Sequence, residues 1–168
     1  MLQMFNDTKP EGKKYLTCDP AGLGRDRTVI GIWEGLHLIK IHVFKHKYPH
    51  EVADIMRQLA TDNQIPLSQA VVDSDGLGIG VQGLLRCIMF LNGSSAVDKE
   101  HFANLKAQCY YKLGDMIKMN KVNVSDHTYR DEIIMELDLI RNTSKEDKRK
   151  TVTSKEEISK KHNISPDF

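Results

Sequence analysis

Three aspartates carry the chemistry that this sequence offers. Asp73 and Asp75 stand one position apart in AVVDSDGLGIGVQGLL, Ala70 to Leu85, where an apolar run gives way to a loop with glycine at 76, 78, 80 and 83. Asp19 ends a second apolar run, YLTCD, and is followed by PAGLGRDR, a loop with two glycines and two arginines. Carboxylates converging from strand ends suit a hard divalent cation such as Mg2+ or Mn2+, because such ions prefer oxygen donors and Mg2+ keeps several of its waters. Two such ions roughly 3.5 to 4 Å apart can activate a water and stabilise the departing oxygen in phosphodiester cleavage. The glycines raise a second possibility, a backbone cradle for a nucleotide phosphate. The residues oppose it: no lysine followed by Ser or Thr completes a Walker loop, and two carboxylates would repel a pyrophosphate. Each aspartate alone is equally what a turn after a strand uses, since Asp and Asp-Gly favour turns. The residues by themselves leave the metal and the turn readings open.

The elements that must position these aspartates follow from periodicity. Tyr15–Asp19 reads as a first strand, and TVIGIWEGLHLIKIHVF as two more, Thr28–Trp33 and Leu36–Phe44, joined at Glu34-Gly35. Short connections make these three an antiparallel meander. Pro49 suits a first helical position, Val52, Ile55, Met56 and Leu59 share one face, and Pro66 prevents continuation. Ala70–Val72 is then a short buried strand. A strand reached through a helix usually runs parallel to its neighbour by a right-handed crossover, here beside the first strand. That pairing would put Asp19 and Asp73 on one carboxyl edge of the sheet, where open α/β sheets place their sites.

Farther along, Val81, Leu84, Leu85 and Ile88 mark a helix, and CIMFLNG holds a fifth strand before a turn at Asn92-Gly93. Phe102, Leu105, Cys109, Leu113 and Met116 are spaced as a longer helix, and Ile133, Ile134, Leu137 and Ile140 as another. IRNTSKEDKRKTVTS reads as a basic-tipped hairpin, and SKEE, Ser154–Glu157, as a capping box opening a short helix. Met1 to Lys14 is polar, with Pro10 and Gly12, and reads as an arm or linker.

Composition narrows the class. A chain of 168 residues with formal net charge +1 suits one domain and excludes a grossly basic nucleic-acid binder, so any such affinity must be local. Cys18, Cys87 and Cys109 are an odd, scattered set with no C-x-x-C pair, which argues against a disulfide framework or structural zinc. The seven histidines make no zinc-binding spacing, and no apolar run reaches membrane-spanning length. The N-terminus lacks the apolar core of a signal peptide, which points to a cytoplasmic protein.

At its acidic motifs the sequence resembles the C-terminal nuclease domain of tailed-bacteriophage large terminase subunits. YLTCDPAGLGRDRTVIGIWEG is similar to that family's first motif, AVVDSDGLGIGVQGLL to its second, and ISPDF to the beginning of its third. The resemblance runs from Tyr15 to the end. It implies an α/β ribonuclease H-like fold with a mixed central sheet, and an endonuclease that cuts concatemeric double-stranded DNA with two Mg2+ or Mn2+ ions. Carried over, the catalytic and metal-binding carboxylates would be Asp19, Asp73 and Asp167, with Asp75 and Asp26 in reserve. Asp19 would anchor both ions, Asp73 one and Asp167 the other. The family's partners are a portal, a small terminase subunit and an N-terminal packaging ATPase, whose Walker motifs do not occur in this chain. The sequence stops at Phe168, so the helix that should follow Asp167 is expected to be truncated.

Local basic residues supply the DNA contacts this reading needs. Arg25 and Arg27 lie beside Asp19, and Lys148, Arg149 and Lys150 lie in the hairpin; each could neutralise a backbone phosphate. Two alternatives stand beside the terminase reading: another nuclease of the same fold, such as a junction resolvase, and a non-catalytic DNA-binding prophage fragment.

Overall fold

A computed structural model of the chain describes residues 2–144 and 149–162. Six strands form one mixed sheet. They are β1 (Lys14–Asp19), β2 (Thr28–Glu34), β3 (His37–Phe44), β4 (Ala70–Asp73), β5 (Ile88–Phe90) and β6 (Asn123–Val124), in spatial order β5-β4-β1-β2-β3-β6. The meander β1-β2-β3 is antiparallel, while β4 runs parallel to β1, β5 to β4 and β6 to β3. The helices are α1 (Pro49–Asp62), α2 (Gly78–Leu85), α3 (Leu105–Lys118), α4 (Arg130–Leu139) and α5 (Lys155–His162). No described helix is long and apolar enough to cross a membrane.

Strand alternation divides the core between the two faces of the sheet. Leu16, Cys18, Ile30, Ile32 and Val72 pack with Val52, Ala53 and Met56 of α1 and with Val81 and Leu85 of α2. Leu38, Ile41, Val29, Trp33 and Val43 pack on the opposite side with Ile117 of α3 and Ile133 and Leu137 of α4. Leu38 and Ile41 are three apart and would face opposite ways in a regular strand. A bulge lets them share a face: Ile32 pairs with Lys40 and Trp33 with Leu38, which leaves Ile39 as the extra residue.

Several expectations shift in detail. The β2-β3 hairpin turns at Gly35 and Leu36, one residue later than expected. Helix α3 begins at Leu105, because the Asn104 side chain accepts the Ala107 amide at 2.9 Å and caps it there. Phe102 lies outside that helix and bridges to Lys150, and Cys109 is exposed. The capping box is present, with Ser154 Oγ accepting from the Glu157 amide at 3.1 Å and Glu157 Oε2 from the Ser154 amide at 2.9 Å. The arm is docked at its start, where Met4 is buried and Phe5 bridges to Val124. Strand β6 is an element the periodicity did not announce, since two residues carry no period.

Asp126 ties the chain beyond β6 back to β3. Its side chain, 4% exposed, pairs with Lys40 Nζ at 3.0 Å and accepts the amides of Ile41 and Thr128 at 3.0 and 3.1 Å. Burial works to raise its carboxyl, but Thr128, Ile41 and Lys40 together outweigh burial and hold it well below the ordinary carboxylate range. A depressed folded pKa contributes stability above the unfolded value of about 3.9, and that stability is lost as pH falls through the folded one. Asp126→Ala should therefore cost about 1 to 3 kcal/mol at neutral pH, since it strands the buried Ile41 amide. In urea denaturation the gap from the parent should narrow once the pH drops below about 4.

Candidate active site

The parallel register of β1 and β4 fixes the acidic edge. Cys18 pairs with Val72, so Asp19 and Asp73 occupy the next position on adjacent strands, which run about 4.8 Å apart in a sheet. Thr17, Asp19, Val71 and Asp73 alternate with buried Cys18 and Val72, and all four line one cavity of about 440 Å³ on the α3/α4 face. Trp33, Leu38, Ile41, Leu113 and Ile117 are among its apolar walls. The mutual proximity has an electrostatic signature. Burial first, and then the charges of Asp19, Cys87 and Asp73, push the Cys18 thiol far above its ordinary value. Tyr110, on α3 in the same cavity, is raised by burial and then by Asp19, buried Glu136 and Asp73.

Asp19 also borders a second cleft of about 440 Å³, formed by the β1-β2 loop with Asp75, Leu77 and Lys155. Arg25, Asp26 and Arg27 line it. Two contacts pin this loop to later helices: Arg27 Nη2 meets Glu132 Oε2 of α4 at 2.7 Å, and Asp26 Oδ2 lies 3.4 Å from Lys155 Nζ of α5. Asp73 lines the first cavity and Asp75 the second, with Ser74 buried between them and its hydroxyl bonded to the Val72 carbonyl at 2.9 Å.

The glycine loop serves close packing. Gly76, at φ +68°, turns the chain after Asp75. At Gly78, the first residue of α2, a β-carbon would lie 1.7 Å from the Asp73 carbonyl oxygen and 3.1 Å from Pro20 Cγ. The helix can begin against the back of the acidic strand end only because that position has no side chain.

A residue absent from the sequence reading of the site completes it. Asn92 Nδ2 donates to Asp73 Oδ2 at 2.8 Å, and the Asn92 amide donates to Asp75 Oδ2 at 3.2 Å. In the sequence Asn92-Gly93 signals only a turn. Neither Tyr110 nor Glu136 falls within the acidic motifs.

Hard oxygen donors on adjacent strand ends fit a Mg2+ or Mn2+ ion. Among the described residues, no group of three or more His, Cys, Asp or Glu side chains forms a metal-holding cluster. Asp167 and Lys148 lie outside the described residues. Arg149 and Lys150 line neither cavity. Lys150 Nζ sits over the rings of Phe102 and Tyr111, 5.5 and 5.3 Å from their centroids.

No protein-family model matches the sequence, and no curated protein does. Solved structures do match the fold. The nuclease domain of the large terminase subunit of bacterial virus Sf6 is 20% identical, with a TM-score of 0.83 over 95% of this chain and 85% of that one. A substituted form of that domain with manganese and β-thujaplicinol gives 19% identity and a TM-score of 0.83 over the same shares, 95% and 85%. The large terminase nuclease from thermophilic phage G20c with bound magnesium gives 15% and 0.60, over 88% of this chain and 75% of that one. The mixed sheet and its flanking helices thus share the fold of these nuclease domains of phage large terminase subunits.

Proposed function

We propose that this chain is the metal-dependent endonuclease domain of a phage DNA-packaging terminase, cleaving concatemeric double-stranded DNA by phosphodiester hydrolysis with two Mg2+ or Mn2+ ions. The observation that carries the reading is the placement of Asp19 and Asp73 side by side on the carboxyl edge of β1 and β4, both lining one cavity. Asp19 borders both clefts and is suited to anchor both ions, and Asp73 to hold one; the resemblance assigns the other to Asp167, which lies outside the described residues. Bound there, the ions would supply an activated water and stabilise the leaving oxygen. The chain's own residues do the positioning. Asp73 is oriented by two N–H donors, the Asp75 amide at 3.1 Å and the Asn92 side chain. Arg25 and Arg27 border the second cleft, where a DNA phosphate approaching Asp19 would meet positive charge, and Glu132 holds Arg27 in place. Lys148, Arg149 and Lys150 would neutralise phosphates of the duplex backbone. A portal, a small terminase subunit and a packaging ATPase are the partners this role brings, in the cytoplasm of a bacterial host.

Cleavage of supercoiled plasmid in Mn2+ and in Mg2+, beside linear duplex, a four-way junction and an RNA–DNA hybrid, tests the reading. Metal-dependent nicking and linearisation of duplex, without preference for the junction or the hybrid, is the expected result. Selective cutting of the junction would assign the domain to resolution instead. No cutting of any substrate by folded protein would overturn the enzymatic reading.

A further inference from the structure

We propose that Asn92 is the positioning residue of the acidic site, holding the carboxylates of Asp73 and Asp75 in register and thereby setting the affinity of the site for its divalent ion. The inference rests on the metal-dependent nuclease reading above.

One residue reaches both carboxylates by different groups. The Asn92 side-chain amide takes Asp73 Oδ2 at 2.8 Å, and its backbone amide takes Asp75 Oδ2 at 3.2 Å. Asp73 Oδ1 accepts the Asp75 amide at 3.1 Å, so each oxygen of Asp73 has one N–H donor. An ionised carboxylate offers about four acceptor directions, and two donors leave the others aimed but open. An amide is well chosen for this task, because it donates without carrying a charge that would compete with a cation.

Asn92 is itself held on two sides. It follows β5, whose Phe90 pairs with Asp73 in the sheet and accepts the Ser74 amide at 2.8 Å. Its carbonyl accepts the Lys106 amide in the first turn of α3 at 3.2 Å, and two residues on the Ser94 carbonyl accepts Leu105 at 2.7 Å. The side chain is half-buried, which shields its bond to Asp73 from competing water. Asn92 therefore joins the sheet edge, the start of α3 and both acidic side chains at one point.

The test is a Mn2+ titration of the full chain followed by the electron paramagnetic resonance of the free ion, for the parent and for Asn92→Ala. The variant should bind Mn2+ some 10- to 100-fold more weakly, the usual cost of losing a hydrogen-bond partner of a metal ligand. Half-saturating Mn2+ for plasmid cleavage should rise by the same factor, while the rate at saturating Mn2+ recovers to within about threefold of the parent. Asn92→Ser suits the turn but is too short to reach Asp73; it should behave the same and stands in if the alanine variant does not fold. Equal Mn2+ affinity in a parent that binds and a folded variant overturns the proposal. So does a cleavage loss that excess Mn2+ does not repair. A folded parent that binds no Mn2+ overturns the nuclease reading itself, a separately readable result.

Discussion

Asp19→Asn and Asp73→Asn, made singly, are each expected to lower Mn2+-dependent plasmid cleavage about 1,000-fold, equivalent to about 4 kcal/mol of transition-state stabilisation. The amide keeps the shape of the carboxylate and removes the charge a hard cation needs, so binding of the ion fails while the fold persists. Asp19 is exposed, so a change there should alter stability by no more than about 0.5 kcal/mol in denaturant titration. Asp75→Asn separates the two acidic residues of the loop. Asp73 stands level with Asp19 on the adjacent strand, whereas Asp75 lies two residues past that register in the loop, so loss of its charge should cost only about tenfold, near 1.4 kcal/mol. A loss at Asp75 as deep as that at Asp73 would move the ligand role two residues along the chain. Full activity in Asp19→Asn would sink the metal-site reading altogether.

Gly78→Ala is expected to destabilise the domain by about 3 kcal/mol and to abolish cleavage with it. Two effects oppose each other here. Alanine gains up to about 1 kcal/mol of helix propensity over glycine. Against that, the new β-carbon would stand 1.7 Å from the Asp73 carbonyl oxygen, a backbone atom at the end of a paired strand. Relief requires moving the start of α2 or the acidic strand end, and the steric cost wins. Two other glycines of α2 make internal controls. A β-carbon at Gly83 meets nothing within 4 Å, and one at Gly80 meets the Pro49 ring in ordinary contact, at 3.4 Å from Cβ and 3.8 Å from Cγ. Gly83→Ala and Gly80→Ala should be neutral or stabilise by up to about 1 kcal/mol. Thermal or urea unfolding of the three variants checks the ranking, and a Gly78→Ala protein as stable as the parent would refute the close-packing account.

Much of the scaffold was legible because its signals are local. The meander follows from three runs of strand-forming residues with short connections, α1 from Pro49 and a four-residue apolar face, and the start of α5 from the reciprocal Ser154–Glu157 pair. The pairing of β1 with β4 was legible for a different reason: a helical crossover between strands of one sheet leaves few topologies, and the parallel neighbour is the common one. That single inference put Asp19 and Asp73 on the same edge. Where prediction slipped, a competing contact decided. The Asn104 cap moved the start of α3 past Phe102. The bulge at Ile39, on which the sequence offered no expectation, sets which residues of β3 face the core, a one-residue event that alternation alone does not register.

The sequence by itself determined the chemistry available to this protein: which strand ends carry carboxylates, that no Walker lysine follows the glycines, and which loops bear arginine. Only the tertiary structure decided how those groups are arranged. It placed Asp73 and Asp75 on the linings of different clefts, tied Arg27 to Glu132 and Asp26 to Lys155, and brought Asn92 from the end of β5 onto both carboxylates. The reason is physical. Residue type and strand periodicity are properties of a short segment, whereas a hydrogen bond between positions 73 and 92, or an ion pair between 27 and 132, exists only once separate elements have packed and their register is fixed.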